Sequence, residues 1–515
     1  MIYKILASKI RPVILMILDG YGNTTNKDVS AIAKANTPNL DRIAENYPKA
    51  LLEASGLAVG LPEGIMGNSD VGHLNLGAGR RVVQDLPRIN EAIEDGSIYK
   101  NGAFLSAIEH AKKNNSALNL IGLLSDGKVH SSNQHLYGLL NVAKKEGVKK
   151  VNIHVILDGR DTKPNIAAQF VEELEAKIKE IGIGQIASLS GRFYTMDRDN
   201  RWERVKVSYD MLTTPTTESV DPLKYLSESV ETDEFIKPIL TNPNGAIQDN
   251  DSIVFFNYRA DRAREISYAL IQPDFIGFDR AKTLSNVKYV SMTQYDEDKL
   301  GPNVVDVLFQ KQKLTNVLGE LVAKAGLSQL RIAETEKFNH VTFFFDGGED
   351  RKLLGADRIL VESPKEVATY DEKPEMSAYG VTKKLLEAIG LNQYHLIVLN
   401  FANCDMVGHT GRMGAAVKAV EAVDDCVGQV VSKVLKANGA ILLTADHGNA
   451  EKMIAEDGSP HTAHTTSQVP VYLVSNDANS VKLNDGKLAN VAPTLLELLK
   501  IKKPTEMTED SLIVQ

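Results

Sequence analysis

The sequence predicts an α/β protein of two domains, each built on a largely parallel sheet, with the second domain inserted into the first. Three observations carry this expectation. Short, continuous apolar runs recur along the chain, and each ends on polar residues of catalytic type. Amphipathic helical patterns lie between the runs. Two stretches with linker character separate the outer segments from a central block.

The apolar run 13–18 leads into Asp19, and 118–124 leads into Ser125, Asp126, Gly127 and then His130. Run 151–157 leads into Asp158, Gly159, Arg160 and Asp161, and 186–189 into Ser190, Gly191 and Arg192. Run 253–256 precedes Asn257 and Arg259, 396–399 precedes Asn400 and Asp405, and 441–443 precedes Thr444, Ala445, Asp446 and His447. Apolar runs of this length suit strands covered on both faces, as in parallel sheets. Residues 412–436 carry Ala, Val and Leu at helical spacing, with Gly439 as a candidate stop, and 488–500 form a second helical pattern. Alternating strand and helix signals give an α/β architecture. Ligands of open α/β sheets bind beyond the carboxyl ends of the strands, where these polar residues fall.

No internal repeat or low-complexity segment interrupts the pattern. Residues 77–84 follow a glycine-rich loop, and 305–315 follow a region without strong strand signals. If both are hinges, residues 84–311 form the inserted domain, and 1–83 with 312–515 form the outer one.

A chain of 515 residues can bury a large core without disulfides. Its two cysteines, Cys404 and Cys426, fit a reducing compartment. The first residues lack an apolar stretch with a small-residue cleavage site, and no apolar run reaches the ~20 residues of a membrane span. A cytoplasmic protein with no membrane partner is expected. The net charge of −9 argues against a nucleic-acid partner. Arginines nevertheless cluster, at Arg192, Arg198, Arg201 and Arg204 and again at Arg259, Arg262 and Arg264. Such clusters suit a small anionic ligand, or equally a solvated face.

Residues of metal-ligand type fall in the outer segments. Asp19 closes the first strand. Asp405 and His409 stand four apart, which on a helical turn places them on one face. Asp446-His447-Gly448 closes another strand, and the glycine permits close backbone approach. His461 and His464 add two imidazoles. Carboxylate and imidazole donors suit Mn²⁺ and Zn²⁺, whereas pure oxygen sets suit Mg²⁺ or Ca²⁺. Each element alone also reads as a surface pair or a buried polar group. Four of them at loop or strand ends are hard to assign to structure alone.

Ser69 lies in the glycine-rich segment Met66-Gly67-Asn68-Ser69-Asp70-Val71-Gly72-His73, ahead of a short helical pattern. A serine at a helix N-terminus sees free N–H groups that suit a phosphoryl group, and a metal on its oxygen would make it a nucleophile. By itself it also reads as a helix cap. His73 is assigned to local structure, and His461 to support of His464.

With these residues assembled, the sequence resembles the cofactor-independent phosphoglycerate mutases of the alkaline-phosphatase superfamily. The resemblance runs from Leu18-Asp19-Gly20-Tyr21-Gly22 to Ala492-Pro493-Thr494-Leu495-Leu496. It includes Met66-Gly67-Asn68-Ser69, Asp158-Gly159-Arg160-Asp161, Gly191-Arg192, Arg259 with Asp261-Arg262, Glu336-Lys337, Asp405 with His409, Asp446-His447-Gly448 and Pro460-His461-Thr462-Ala463-His464. It implies an alkaline-phosphatase-like metal domain interrupted by a substrate domain, and two Mn²⁺ ions, with Zn²⁺, Co²⁺ or Mg²⁺ as alternatives. One ion would be held by Asp405, His409 and His464, the other by Asp19, Ser69, Asp446 and His447. Ser69 would accept the phosphoryl group, faced by Lys337. The insert would supply His130, Arg160, Asp161, Arg192, Arg198, Arg259 and Arg262 for the glycerate and its phosphate, with Asp161 as the acid and base. Closure of the insert would keep water from phosphoserine.

The implied activity interconverts 3-phosphoglycerate and 2-phosphoglycerate without bisphosphoglycerate, in a monomer. The alternatives on the same core are a metal-dependent phosphatase or a phosphopentose mutase. Asp70, Asp346 and Ala260 depart from the usual family pattern and touch no implied ligand.

Overall fold

The computed structural model describes residues 11–24, 26–300 and 305–514, apart from the side chain of Asn479. The chain forms two compact units, Met1–Gln84 with Lys313–Gln515, and Asp85–Gln312.

The first unit is built on an eight-stranded sheet. Its central strand, Val13–Leu18, is buried along its whole length and pairs in parallel with Leu396–Phe401 on one side and Ala440–Thr444 on the other. Gln329–Glu334 and Ala356–Val361 extend the parallel part. Val469–Ser475 and Lys49–Glu53 add an antiparallel edge. Successive residues of the central strand feed opposite cores. Val13, Leu15 and Ile17 join Leu52, Val71 and Leu495 on one face, and Ile14, Met16 and Leu18 join Val423, Val427 and Val430 on the other. A strand with two dry faces needs an unbroken apolar sequence, which is why this element reads so plainly.

Helix Met413–Lys436 covers the second of these cores with its Ala and Val stripe. Its stop differs from the expectation. Asn438, at φ +56°, takes the left-handed position, and its N–H donates to Leu435 O while the Gly439 N–H donates to Val434 O. This is a Schellman closure with asparagine as the turning residue. Gly439 serves a different need: a Cβ there would lie 2.5 Å from Pro12 O.

The second unit has a seven-stranded sheet, parallel except for the short edge strand Ile239–Leu240. Leu118–Leu124 and Val151–Leu157 pair in register at its centre, flanked by Gln185–Gly191 and Ser252–Phe255. One stretch expected to be a connector, 305–315, contains a strand. Asp306–Phe309 pairs in parallel with Lys288–Thr293, with Val307 in one core and Leu308 in the other. In the other stretch, Gly77 and Ala78 end the Ser69–Ala78 helix, and Gly79 closes it at φ +66°. Among the described residues, no helix is long and apolar enough to cross a membrane.

The amino ends of the insert's central strands carry a buried polar network. His154 Nε2 lies 3.2 Å from Asn119 Oδ1 and its Nδ1 lies 2.9 Å from Ser188 Oγ. Asn119 in turn donates to Asp251 at 3.0 Å. These partners assign a neutral imidazole, and burial depresses His154 to about 3. The neutral ring therefore contributes stability that is present above about pH 6.5, the value in the unfolded chain, and is lost as pH falls toward 3. Replacing His154 by Gln is expected to reduce the acid-side slope of stability by up to ~1.4 kcal/mol per pH unit. Urea unfolding between pH 4 and 7 measures this, and an unchanged slope would contradict the neutral assignment.

Candidate functional site

The carboxyl ends of the first unit's parallel strands converge on one cluster. Asp19 follows Val13–Leu18 directly, Asn400 lies in the strand Leu396–Phe401 and Asp405 in the short helix Asn403–Gly408 after it, and Asp446 and His447 follow Ala440–Thr444. Lys337 stands in the short helix Thr335–Asn339 that succeeds Gln329–Glu334. Ser69 opens the helix Ser69–Ala78.

Ser69 is not the cap of that helix. Asn68 is, its side chain accepting from the Val71 N–H. The Ser69 hydroxyl is therefore free of the helix end. It lies 2.6 Å from Lys337 Nζ, 2.9 Å from His447 Nε2 and 3.3 Å from Asp19 Oδ1, and the residue is 7% exposed. Lys337 Nζ donates also to Asp19 Oδ1 and Asp405 Oδ2, both at 2.7 Å. Its three N–H bonds are thus all committed. Burial opposes the ammonium charge, but the carboxylates of Asp19, Asp405 and Asp446 outweigh it and raise the Lys337 pKa.

The donor set fits divalent cations. His409 and His464 each direct Nδ1 at a backbone carbonyl, Thr462 O at 2.7 Å and Gly67 O at 2.9 Å. This hydrogen-bond pattern assigns the proton to Nδ1 and turns both Nε2 atoms inward. The two Nε2 atoms lie 3.0 Å apart, and 3.2 and 3.1 Å from Asp405 Oδ1. With the protons on Nδ1, three acceptor atoms converge on one point, and a cation would satisfy all of them. Asp19, His447 and Asp405 form a second convergent group. Asp446 Oδ2 is buried with no aligned hydrogen-bond donor among the described residues. Three buried carboxylates against one ammonium leave a net negative charge that is costly to bury without further cations. Burial pushes the Asp405 carboxyl up, but the Lys337 ammonium beside it holds it well below the usual carboxylate range.

Reasoning from sequence missed the residues that steady these groups. His73, set aside as local structure, is fully buried in the cluster. Its Nδ1 lies 2.9 Å from Ser69 O and 3.1 Å from Asp446 Oδ2, and its Nε2 meets Asn400 Nδ2 at 3.0 Å. Asn400 also donates to Asp19 Oδ2 at 2.8 Å, and Asn449 to Asp405 Oδ1 at 3.0 Å. His73 follows Ser69 by one helical turn, which was the available signal. His461 does not support His464, whose Nδ1 partner is Gly67 O. Asp70, one of the departures from the family pattern, pairs with His340 Nε2 at 3.0 Å beside the cluster.

The insert gathers the remaining residues on its own. Asp158 organises their loop: its Oδ1 accepts from the N–H groups of Arg160 and Asp161, and its Oδ2 accepts from Ser125 at 2.5 Å. Arg192, 2% exposed, puts Nη1 2.6 Å from both Asp158 Oδ1 and Asp161 Oδ2. His130 Nε2 lies 3.7 Å from Asp161, and its Nδ1 lies 3.6 Å from Asp261. Asp261 also meets Arg198 at 3.0 Å and Arg259 Nε at 3.2 Å. Arg262 donates to Met196 O at 3.0 Å. The Arg160 side chain reaches Glu234 at 3.3 Å. Burial, aided by Arg192, lowers His130 to about 4, so its ring is neutral near pH 7. The half-exposed guanidinium groups of Arg160, Arg198 and Arg259 give this edge a cationic face.

A family model described as the metalloenzyme superfamily matches residues 11–503. A 2,3-bisphosphoglycerate-independent phosphoglycerate mutase of Acetivibrio thermocellus is 53% identical over 512 residues, covering 98% of this chain and 99% of the relative. One of Methanosarcina barkeri, named 2,3-bisphosphoglycerate-independent phosphoglycerate mutase 1, is 53% identical over 519 residues and covers 98% of each chain. The crystal structure of Leishmania mexicana phosphoglycerate mutase at low cobalt concentration is 33% identical, covers 99% of both chains and superposes with a TM-score of 0.62. Identity above one half, sustained along nearly the whole of both chains, leaves no segment to a different family: the chain belongs to the 2,3-bisphosphoglycerate-independent phosphoglycerate mutases of the metalloenzyme superfamily.

Proposed function

We propose that the protein interconverts 3-phosphoglycerate and 2-phosphoglycerate through a phosphoserine at Ser69, without bisphosphoglycerate, as a cytoplasmic monomer. The observation that carries this reading is the hydroxyl of Ser69, released from capping by Asn68 and surrounded by Lys337, His447 and Asp19.

In this reading Asp405, His409 and His464 would hold one Mn²⁺, and Asp19, Ser69, Asp446 and His447 a second. Bound there, the ions supply Lewis-acid charge that eases ionisation of the serine and offsets charge on the phosphoryl oxygens. Lys337 donates to the Ser69 oxygen and stabilises its ionised form as it attacks phosphorus. The same ammonium then neutralises part of the charge on the transferring group.

The insert residues hold and turn the glycerate. Arg192, Arg198, Arg259 and Arg262 bind its carboxylate and phosphate, with Arg160 beside them, through planar guanidinium groups that lysine would not reproduce. Asp161 protonates the departing hydroxyl oxygen and takes the proton from the other hydroxyl before it attacks phosphoserine. Neutral His130 positions Asp161 and the substrate hydroxyls without adding charge. The 1–83 and 312–515 segments thus form the metal domain and 84–311 the substrate domain.

A phosphatase on the same core would deliver the phosphoryl group to water. Incubating the metal-loaded protein with 3-phosphoglycerate and assaying both products separates the two. 2-Phosphoglycerate with only traces of inorganic phosphate is expected, and stoichiometric phosphate release would overturn the mutase reading. Exhaustive chelation should abolish conversion and lower thermal stability, and added Mn²⁺ should restore both. Activity that persists in rigorously metal-free protein would contradict the cation centre.

A further inference from the structure

Beside the cationic face of the insert lie two buried carboxyl groups that no step above employs. Asp197 follows the short helix Arg192–Thr195, and Glu265 stands in the first turn of Arg264–Ile271. They are 4% and 5% exposed. Asp197 Oδ2 accepts the backbone N–H groups of Asp199 and Arg201, both at 2.9 Å. Glu265 Oε1 accepts that of Asn200, also at 2.9 Å. Asn200 itself sits at φ +57°. Three consecutive N–H groups of one loop are therefore gripped by two carboxyl groups.

Glu265 Oε2 is buried with no N–H or O–H donor among the described residues, and the hold on adjacent N–H groups of one loop sets the two carboxyl groups beside each other. Two ionised carboxylates buried side by side repel, and one shared proton removes the conflict. Two backbone N–H groups and Arg204 Nη1, 3.4 Å from Oδ1, favour the charge on Asp197. The proton therefore belongs to Glu265. Among the described residues, the charged or titratable groups facing the pair include Arg204 from the Trp202–Thr213 helix, Asp199 from the loop and Tyr268 from the helix of Glu265 itself. Burial, with Asp197 and Asp199, raises Glu265 to about 7.

The gripped loop carries Arg198, whose Nη1 reaches Asp261 at 3.0 Å. Arg262 closes the start of the same loop through Met196 O. We propose that the Asp197–Glu265 pair, joined by one proton, positions Arg198 for the anionic groups of the substrate and loosens its hold when that proton is lost. The proposal rests on the reading of Arg198 as a substrate-binding residue.

The test follows KM and kcat of the Mn²⁺-loaded protein for 3-phosphoglycerate across pH 6 to 9, in native protein and Glu265→Gln. Glutamine keeps a neutral donor toward Asp197 at every pH. The KM ratio of native protein to Glu265→Gln should rise with pH through about 7, by up to roughly ten-fold, the worth of one charge-assisted hydrogen bond. Asp197→Asn, which removes the repulsion, should likewise flatten the profile relative to native protein. Arg198→Ala should raise KM, and in its presence Glu265→Gln should no longer alter the profile. Superimposable profiles for native protein and both carboxyl variants, with normal circular dichroism, would overturn the proposal. Absence of any conversion by native protein would instead refute the mutase reading beneath it.

Discussion

Ser69→Ala is expected to remove interconversion of the phosphoglycerates to the background of the assay while the protein stays folded. Loss of activity and retention of the fold have separate causes. The hydroxyl lies against Lys337 Nζ and His447 Nε2, so on the proposed route its removal leaves no acceptor for phosphorus there. The helix end is satisfied by Asn68, so the serine side chain is not needed for the fold. Asn68→Ala should show the opposite balance in stability, costing about 1 kcal/mol as caps generally do. Thermal melts and activity on both variants measure the contrast. Substantial activity in Ser69→Ala, freed of contaminating mutase, would sink the phosphoserine route.

Lys337→Met should lower kcat by about 10³-fold, the scale lost when one preorganised donor is taken from a developing charge. The ammonium touches Asp19, Ser69 and Asp405 at once, so the loss reaches the nucleophile and its surroundings together. Stability should fall as well, because breaking a buried ion pair costs about 3–5 kcal/mol. That deficit should be larger in chelator than in Mn²⁺, since cations offset the same carboxylates. Activity should not recover with Mn²⁺. Near-native kcat in Lys337→Met would contradict the role given to the ammonium.

Much of the fold is written openly in the chain because its strands are buried on both faces. Val13–Leu18, Leu118–Leu124 and Val151–Leu157 coincide with their apolar runs residue for residue. Asp306–Phe309 escaped notice because four residues at a sheet edge, begun by an aspartate, leave little pattern. The stop of Met413–Lys436 was misplaced by one residue because asparagine and glycine compete for left-handed positions. Strand ends announced Asp19, Asp446 and His447, and helical spacing linked Asp405 to His409. His73 stands one helical turn after Ser69, a spacing that fits local structure equally well, and Asn449 was not legible, since a hydrogen-bond donor to a carboxylate carries no spacing rule of its own. The roles of Ser69 and Asn68 could be told apart only by geometry: adjacent polar residues at a helix start are interchangeable in sequence, but only one of them faces inward.

The central question is where the phosphoryl group resides between its two positions on glycerate. The direct measurement is conversion of pure 3-phosphoglycerate by the Mn²⁺-loaded protein in the complete absence of bisphosphoglycerate. Sustained formation of 2-phosphoglycerate is the predicted result. Strict dependence of the reaction on added bisphosphoglycerate would contradict the phosphoserine route.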